Sequence, residues 1–373
     1  MNAVSAYLDH NATSPPRPAV LDAMIEALRI GGNPSSVHRV GRTARARIEA
    51  ARRSVAALVG ALPAEIVFVS GGTEANNLAL GGAGRARILA SAVEHDSVLK
   101  AVPGAELIPV DRHGVVDLAS LERSLHQTDA PPLVSVMFAN NETGVLQPIA
   151  EVVRLARSAG ALVHCDAVQG AGRATVDFHG LGVDYLSLSA HKFGGPTGVG
   201  ALVVREGAPL LADRCGGGQE RYRRAGTENV AGIAGFGVAA EAAQAGLDVA
   251  AMRDRMEMEL LRVAPGAAVF GAGAPRLGNT TCISMPGVKA ETQVMALDLA
   301  GVYVSAGSAC SSGKVGRSEV LEAMGVPAAM ADTAIRISLG WNTTVGDIER
   351  LIAAWRDLYV RVAHSDIFPA WAA

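Results

Sequence analysis

Tyr185-Leu186-Ser187-Leu188-Ser189-Ala190-His191-Lys192-Phe193-Gly194-Gly195-Pro196-Thr197-Gly198 reads as a strand that ends in a lysine and runs into a glycine- and proline-rich turn. A second apolar run, 199–204, follows at once. Lysine is scarce here: the chain has Lys100, Lys192, Lys289 and Lys314, and its other basic residues are arginine. A desolvated lysine can lose its proton and form a Schiff base with a carbonyl, which arginine does not do. A strand-end lysine can equally snorkel to water. Lys192 is therefore expected to anchor a carbonyl cofactor covalently, provided the chain also supplies a phosphate cradle, a partner for a ring nitrogen and a second reactive group.

Outward from this stretch, strand-like runs recur at 66–70, 88–91, 106–109, 133–138, 162–166, 185–189 and 201–204. Helical patterns separate many of them, for example 74–80, 118–125 and 149–158. Continuous apolar strands alternating with helices predict an α/β fold with a mostly parallel, seven-stranded sheet covered on both faces. In such sheets ligands bind beyond the carboxyl ends of the strands. After residue 230 the texture turns Ala/Gly-rich, then Met/Glu/Arg-rich across 252–263, with short strands near 279–284 and 335–338. The expected division is a large domain of residues 13–250 and a smaller α+β domain made of 1–12 and 251–373.

With 373 residues the chain exceeds one ordinary core, and 49% hydrophobic content supports packed interiors. A net charge of −3 excludes a polyanion-binding signature, so no nucleic-acid partner is expected. Arg42, Arg45, Arg47, Arg52 and Arg53 fall in a helical pattern with Ile48, Val55, Ala56 and Val59, expected to form a solvated helix face. No uncharged apolar run is long enough to span a bilayer, and the N-terminus lacks a basic segment followed by an apolar one. A soluble, cytoplasmic protein is expected. Cys165, Cys215, Cys282 and Cys310 lie far apart, matching neither a disulfide framework nor a zinc ribbon, so they read as separate thiols with no resident metal.

The chemistry-bearing motifs follow predicted strand ends. Ser70-Gly71-Gly72-Thr73-Glu74 can offer backbone N–H groups and a hydroxyl to a phosphate, or Thr73 can simply N-cap the next helix. Glu94-His95 places an imidazole that could stack on a planar ring or move protons, or sit inert at the surface. Asn140-Asn141 can bind an anionic oxygen or stabilise an Asx turn. Asp166 ends a strongly apolar run, where a carboxylate is costly unless paired; a pyridinium nitrogen is one such partner, and capping the next helix is the other reading. Gln169 could donate to a ring oxygen. Arg336 lies in an apolar run, where a buried guanidinium requires a carboxylate. Cys310 sits among small residues, Ser305-Ala306-Gly307-Ser308-Ala309-Cys310-Ser311-Ser312-Gly313, a setting for an exposed reactive thiol rather than a buried one. Together these amount to a pyridoxal phosphate site plus a thiol.

The chain resembles the group I cysteine desulfurases of the nitrogen-fixation and iron–sulfur-cluster type, within the class V aminotransferase group of fold-type I pyridoxal phosphate enzymes. The resemblance rests on Tyr7-Leu8-Asp9-His10-Asn11-Ala12-Thr13, Gly32-Asn33-Pro34-Ser35-Ser36, Ser70-Gly71-Gly72-Thr73-Glu74, Ala139-Asn140-Asn141-Glu142-Thr143-Gly144, Ser189-Ala190-His191-Lys192 and Gly307-Ser308-Ala309-Cys310. It implies that Lys192 is the Schiff-base lysine and that His95 stacks on the ring and assists proton transfer. It further implies that Asp166 holds the pyridine nitrogen, while Gln169 and Asn141 reach the ring oxygen or the substrate carboxylate. Gly72, Thr73, Ser189 and His191 would bind the phosphate, with Thr227 supplied by the partner subunit of a homodimer, and Arg336 would bind the substrate carboxylate.

The implied reaction takes sulfur from L-cysteine, with Lys192 removing the Cα proton and Cys310 attacking the substrate sulfur, to give alanine and an enzyme persulfide. A sulfur acceptor or iron–sulfur scaffold protein is the implied partner, and Cys310 could transiently hold a transferred cluster. Few residues follow Ile367-Phe368-Pro369, where the housekeeping members carry a longer tail associated with scaffold contact. Position 10 is His where relatives often show Asn or Tyr, and no role is assigned to it. A selenocysteine lyase, an aminotransferase of the same group and a catalytically silent assembly subunit are the competing readings; the intact Lys192, Asp166 and Cys310 weigh against the last.

Overall fold

The computed structural model describes residues 5–127, 130–307 and 317–365, with side chains through 362. Cys310 and Lys314 lie outside the described residues. The strands in chain order are β1 (Ala6–Tyr7), β2 (Ile66–Val69), β3 (Ile88–Ser91), β4 (Glu106–Ile108), β5 (Leu133–Ser135) and β6 (Leu162–Asp166). They continue with β7 (Tyr185–Ser189), β8 (Gly200–Val204), β9 (Thr280–Ser284), β10 (Val302–Tyr303), β11 (Ser305–Ala306) and β12 (Ala334–Ser338). Three helices matter most near the N-terminus: α1 (Pro18–Ile30), α2 (Arg39–Leu58) and α3 (Gly72–Gly82).

Among the described residues the large sheet has seven strands in the order β2-β8-β7-β6-β5-β3-β4. β4, β3, β5, β6 and β7 run parallel, whereas β8 is antiparallel to both β7 and β2. The reversal has a plain cause. Parallel neighbours need a long crossover, usually a helix, but the glycine- and proline-rich link 190–199 is too short for one, so the chain must turn back.

The uniform apolarity of the strands comes from burial on both faces. Along β2, Ile66 and Phe68 join one apolar cluster while Val67 and Val69 join another. Ala201 and Val203 of β8 likewise separate from Leu202 and Val204. That period-two division places a helical layer on each side of the sheet.

A separate cluster gathers Leu8 with Met256, Leu260, Ile337, Leu351 and Trp355. It lies beside an antiparallel sheet of order β11-β12-β9 and a two-stranded parallel pair, β1 with β10. The long helix Val345–Ser365 was not anticipated, although Ile348, Leu351, Ile352, Trp355 and Leu358 recur at helical spacing and are buried.

One arginine departs from the expected solvated face of α2. Arg42 and Arg53 are exposed, but Arg52 is 3% exposed. Its guanidinium donates to both carboxylate oxygens of Glu220 at 2.8 Å and to the Ile66 carbonyl at 3.0 Å. A helical wheel assigns Arg to water, but here a carboxylate 168 residues away supplies the planar two-point partner that makes burial tolerable.

Candidate active site

The carboxyl ends of β3, β5, β6 and β7, with the start of α3, surround one cavity of about 280 Å³. β3 and β5 are neighbours, yet the chain passes from β3 out to β4 before returning to β5. The loops after β3 and β5 therefore diverge and open a crevice, as expected for a switch point in strand order. Gly72, Thr73, His95, Asn141, Asp166 and Gln169 line the cavity, together with Ser189, His191, Lys192 and Arg336. Thr227 is exposed and is not part of its own chain's cavity lining. Cys310 falls outside the described residues.

The start of α3 has no side-chain cap, since its N-cap is Gly71 rather than Thr73. Its first amide groups are thus available to an anion, and the helix dipole favours negative charge there. Two glycines allow the close packing. A Cβ on Gly72 would stand 2.8 Å from the Val168 side chain, and one on Gly200 would stand 2.8 Å from the Gly71 backbone.

Asp166, the last residue of β6, is 7% exposed. Its Oδ1 accepts from the Val168 amide at 2.9 Å and its Oδ2 from Asn76 Nδ2 at 2.7 Å. The first bond caps the following turn, which is the second of the two sequence readings of Asp166. His95 is half-buried and its Nδ1 accepts from the Ser97 amide at 3.0 Å. A backbone N–H can only donate, so the ring proton of neutral His95 sits on Nε2. Asn140 forms the Asx turn, its Oδ1 accepting from the amides of Glu142 and Thr143 at 2.9 Å, which leaves Asn141 to line the cavity.

Lys192 Nζ donates to the carbonyls of Asn11 at 2.7 Å and Ala12 at 2.9 Å. The N-terminal segment thereby closes one wall. His191, beside it, is pushed down to about 4 by burial and then by the Lys192 and Arg173 charges, so it is neutral at physiological pH. Arg336 donates to Asp9 Oδ1 at 2.8 Å and to the Asn141 carbonyl at 3.2 Å, which supplies the carboxylate that its buried position requires. Glu94, directly before His95, is held far toward its protonated form by burial and then by the charge of Asp166.

Sequence reasoning missed several residues here. Asn76 carries no charge and lies within a helical pattern, so nothing marked it as Asp166's partner. Asn11 donates to Thr280 Oγ at 2.9 Å and accepts from Arg173 at 2.9 Å, joining segments far apart in the chain. Arg173 also donates to Gln169, to the His10 carbonyl at 2.9 Å and to the Lys192 carbonyl at 2.8 Å. His10 is buried against Gly340, where a Cβ would stand 1.9 Å from His10 Nδ1, and that nitrogen contacts Ser14 Oγ at 2.8 Å. Of these, the contacts of His10 with Ser14 and of Arg173 with Gln169, each four residues apart, are local in the sequence.

A family model described as aminotransferase class-V matches residues 6–351. The chain belongs to the class-V aminotransferase family. It is 45% identical, over 93% of its length and 93% of the relative's, to a protein of Cereibacter sphaeroides named cysteine desulfurase. It is 43% identical, over 92% of its length and 91% of the relative's, to a protein of Dictyoglomus turgidum named cysteine desulfurase IscS. The crystal structure of a NifS-like protein from Rickettsia africae superposes with a TM-score of 0.88 at 36% identity, covering 96% of this chain and 100% of that one.

The class-V family depends on pyridoxal 5'-phosphate, and the cavity has the donor set that this group needs. An uncapped helix start suits its phosphate, a buried carboxylate suits its ring nitrogen, and a lysine amine among backbone carbonyls suits its aldehyde. Among the described residues no cluster of His, Cys, Asp and Glu could hold a metal ion, and no helix is long and apolar enough to cross a membrane.

Proposed function

We propose that this class-V chain is an L-cysteine desulfurase of the group I type, dependent on pyridoxal 5'-phosphate. The observation that carries the reading is the convergence of Lys192, Asp166, His95 and the open start of α3 on one cavity, in a chain whose 40–45% identical relatives include cysteine desulfurases. When bound, the cofactor supplies an aldehyde that condenses with amines and a pyridinium ring that takes up the electron pair released at the substrate Cα.

The residues then divide the work. Gly72, Thr73, Ser189 and His191 would hold the phosphate, with Thr227 of the partner subunit, as the family resemblance implies; Thr227 is exposed and absent from its own chain's cavity lining. Asp166 would keep the ring nitrogen protonated, and Gln169 and Asn141 would reach the ring oxygen. Arg336 and Asn141 would bind the substrate carboxylate. Lys192 Nζ would remove the Cα proton as general base, and His95, with its proton on Nε2, would pack over the ring and donate or accept a proton there.

Cys310 would attack the substrate sulfur as thiolate. The substrate Sγ–Cβ bond breaks and its electron pair stays with carbon, which takes up a proton to become the methyl group of alanine. The new bond is Sγ–Sγ, so the enzyme ends as a persulfide, and Lys192 would return a proton to Cα, which completes alanine and balances the atoms. A sulfur acceptor or iron–sulfur scaffold protein would then collect the sulfur, in the cytoplasm, from a homodimer. Residues 13–250 would form the cofactor-binding domain and 1–12 with 251–373 the smaller one, which the separate apolar clusters support.

The decisive experiment measures alanine and sulfide release from L-cysteine by the wild type, Lys192→Ala and Cys310→Ala. Lys192→Ala is expected to lose both products. Cys310→Ala is expected to keep the visible cofactor absorbance and lose sulfide release; retained release would sink the persulfide step.

A further inference from the structure

Arg173 has no part in the reaction above, yet three of the four residues it binds, Asn11, Gln169 and Lys192, line the cavity. It lies in the turns that follow β6. Its Nη1 donates to Asn11 Oδ1 at 2.9 Å and to Gln169 Oε1. Its Nη2 donates to the carbonyls of His10 at 2.9 Å and Lys192 at 2.8 Å. All four terminal hydrogens of the guanidinium are thereby used. None of the four oxygens belongs to a carboxylate. The planar fork therefore contributes geometry across three segments, 10–11, 169 and 192, rather than neutralisation of a charge.

That geometry converges on the Lys192 amine, which donates to the carbonyls of Asn11 at 2.7 Å and Ala12 at 2.9 Å. A neutral amine has two N–H groups and one lone pair. Donating to two carbonyls turns the lone pair away from the wall that Asn11 and Ala12 form, and the lone pair is what attacks a carbonyl carbon or takes up a proton. The register of the two carbonyls against Lys192 therefore sets the aim of the amine. From one side, segment 10–12 is tied to β9 and β12: the Asn11 amide donates to Ser338 Oγ at 2.9 Å, and Asn11 Nδ2 donates to Thr280 Oγ at 2.9 Å. Asn11 is 1% exposed, and its carbonyl also accepts from Gln169 Nε2 at 3.0 Å. From the other side, Arg173 ties the same segment to the main chain of Lys192.

We infer that Arg173 is a positioning residue for Lys192: it sets the Lys192 main chain and the Asn11 and Ala12 carbonyls in one register, so that the amine lone pair faces the cavity. The inference rests on the reading of Lys192 as the cofactor-binding amine and general base. Misplacement of a reacting group by about 1 Å can cost on the order of a hundredfold in rate, so a contact to the frame around the amine is enough to matter. A lysine in place of Arg173 keeps the charge. Its single nitrogen, with three N–H groups, cannot serve four oxygens from two positions.

The test compares the full-length wild type with Arg173→Lys, Arg173→Ala and Lys192→Ala. Three readouts are taken: the second-order rate at which cofactor-free protein takes up pyridoxal 5'-phosphate, followed by visible absorbance; the urea midpoint of the cofactor-free protein; and kcat and KM for L-cysteine. Both Arg173 variants are expected to slow cofactor uptake and to lower kcat by about tenfold or more. KM is expected to change less, because Arg336 and Asn141 are not among the partners of Arg173. Arg173→Lys is expected to show these losses with a urea midpoint near that of the wild type, a combination that a purely structural role does not produce. Should Arg173→Ala fail to fold, Arg173→Lys carries the comparison. Wild-type uptake and kcat in Arg173→Lys, or losses that follow the folded fraction alone, would overturn the inference while leaving the role of Lys192 intact. Absence of the visible band in the wild type, or the same band in Lys192→Ala, would overturn both the inference and the reading beneath it.

Discussion

Asn76 Nδ2 donates to Asp166 Oδ2 at 2.7 Å, and also to Ser97 Oγ at 2.8 Å, although Asn76 and Asp166 stand 90 residues apart. The first turns of α3 therefore orient the carboxylate as well as offering free amides. Replacing Asn76 by Ala removes a hydrogen bond to a charged group, worth about 1.5–3 kcal/mol. The expected outcome is weaker pyridoxal phosphate binding of that order, measured by absorbance titration of the cofactor-free protein. Unchanged affinity would mean that Asp166 needs no such support.

Arg336 joins Asp9 and the Asn141 carbonyl at the cavity wall. Its proposed role is binding of the substrate carboxylate, an interaction present before and during the reaction. Arg336→Lys keeps the charge but loses the planar two-point geometry. The change is expected to raise KM for L-cysteine with kcat less affected, lowering kcat/KM by about 1.5–3 kcal/mol in free-energy terms, as for the loss of one hydrogen bond to a charged group. A variant that lowers kcat alone would place Arg336 elsewhere in the mechanism.

Arg52 and Glu220 form a two-point ion pair with side chains only 4% and 2% exposed. Glu220, Arg221 and Tyr222 all adopt positive φ, at 44°, 56° and 63°. Each such residue costs on the order of 1–3 kcal/mol, so the turn persists because the ion pair and the Phe68 amide, which donates to Glu220 Oε2 at 2.9 Å, hold it. Arg52→Ala is expected to destabilise the fold by about 3–5 kcal/mol, because it leaves Glu220 buried and unpaired. The double variant Arg52→Met/Glu220→Leu should lose less than Arg52→Ala. Urea denaturation distinguishes them.

His164 lies within the sheet, its Nδ1 at 2.9 Å from Ser135 Oγ and its Nε2 at 2.9 Å from Ser187 Oγ. Burial pushes it down to about 4 from an ordinary 6.5, partly opposed by Asp166, and His10 is likewise lowered to about 4. Between those values the unfolded chain takes up protons that the fold refuses. The contribution is therefore complete above 6.5 and is lost as pH falls toward 4. Glu142 has the opposite sign: raised from 4.5 to about 7, it favours the fold at low pH and loses that advantage as pH rises through 7. Urea midpoints between pH 4 and 6.5 should fall steeply in the wild type and less steeply in His164→Gln. Parallel slopes would remove His164 from the account.

Much of this organisation was legible in local patterns. The strands 88–91, 162–166 and 185–189 and the helices 118–125 and 149–158 coincide with the observed elements, because a uniformly buried strand or an amphipathic helix leaves its period in the sequence. The run at 133–138 reads as one strand; β5 proper covers Leu133–Ser135, but the backbone still donates to β6 from Val136 at 3.1 Å and Phe138 at 2.8 Å before the chain bends toward Asn140 and the cavity. Lys192, Asp166 and His95 were legible for another reason: a charged or titratable residue at the end of an apolar run is out of place unless it has a task. Asn76, Asn11 and Arg173 carry no such mark, since polar residues in helices and turns are ordinary there.

By itself the sequence determined the α/β alternation, the scarcity of lysine, the glycines at tight approaches and the order of the motifs, all of which depend on residues near one another in the chain. Tertiary structure alone decided partnership. It selected which turn amide faces the cavity, leaving Asn140 to its Asx turn and admitting Asn141. It buried Arg52 on a helix face that local periodicity assigns to water, and it closed the Lys192 wall with Asn11 and Ala12. The physical reason is range: hydrophobic period and turn chemistry act over a few residues, whereas the hydrogen bond that satisfies a buried polar group can come from any segment the fold brings within about 3 Å.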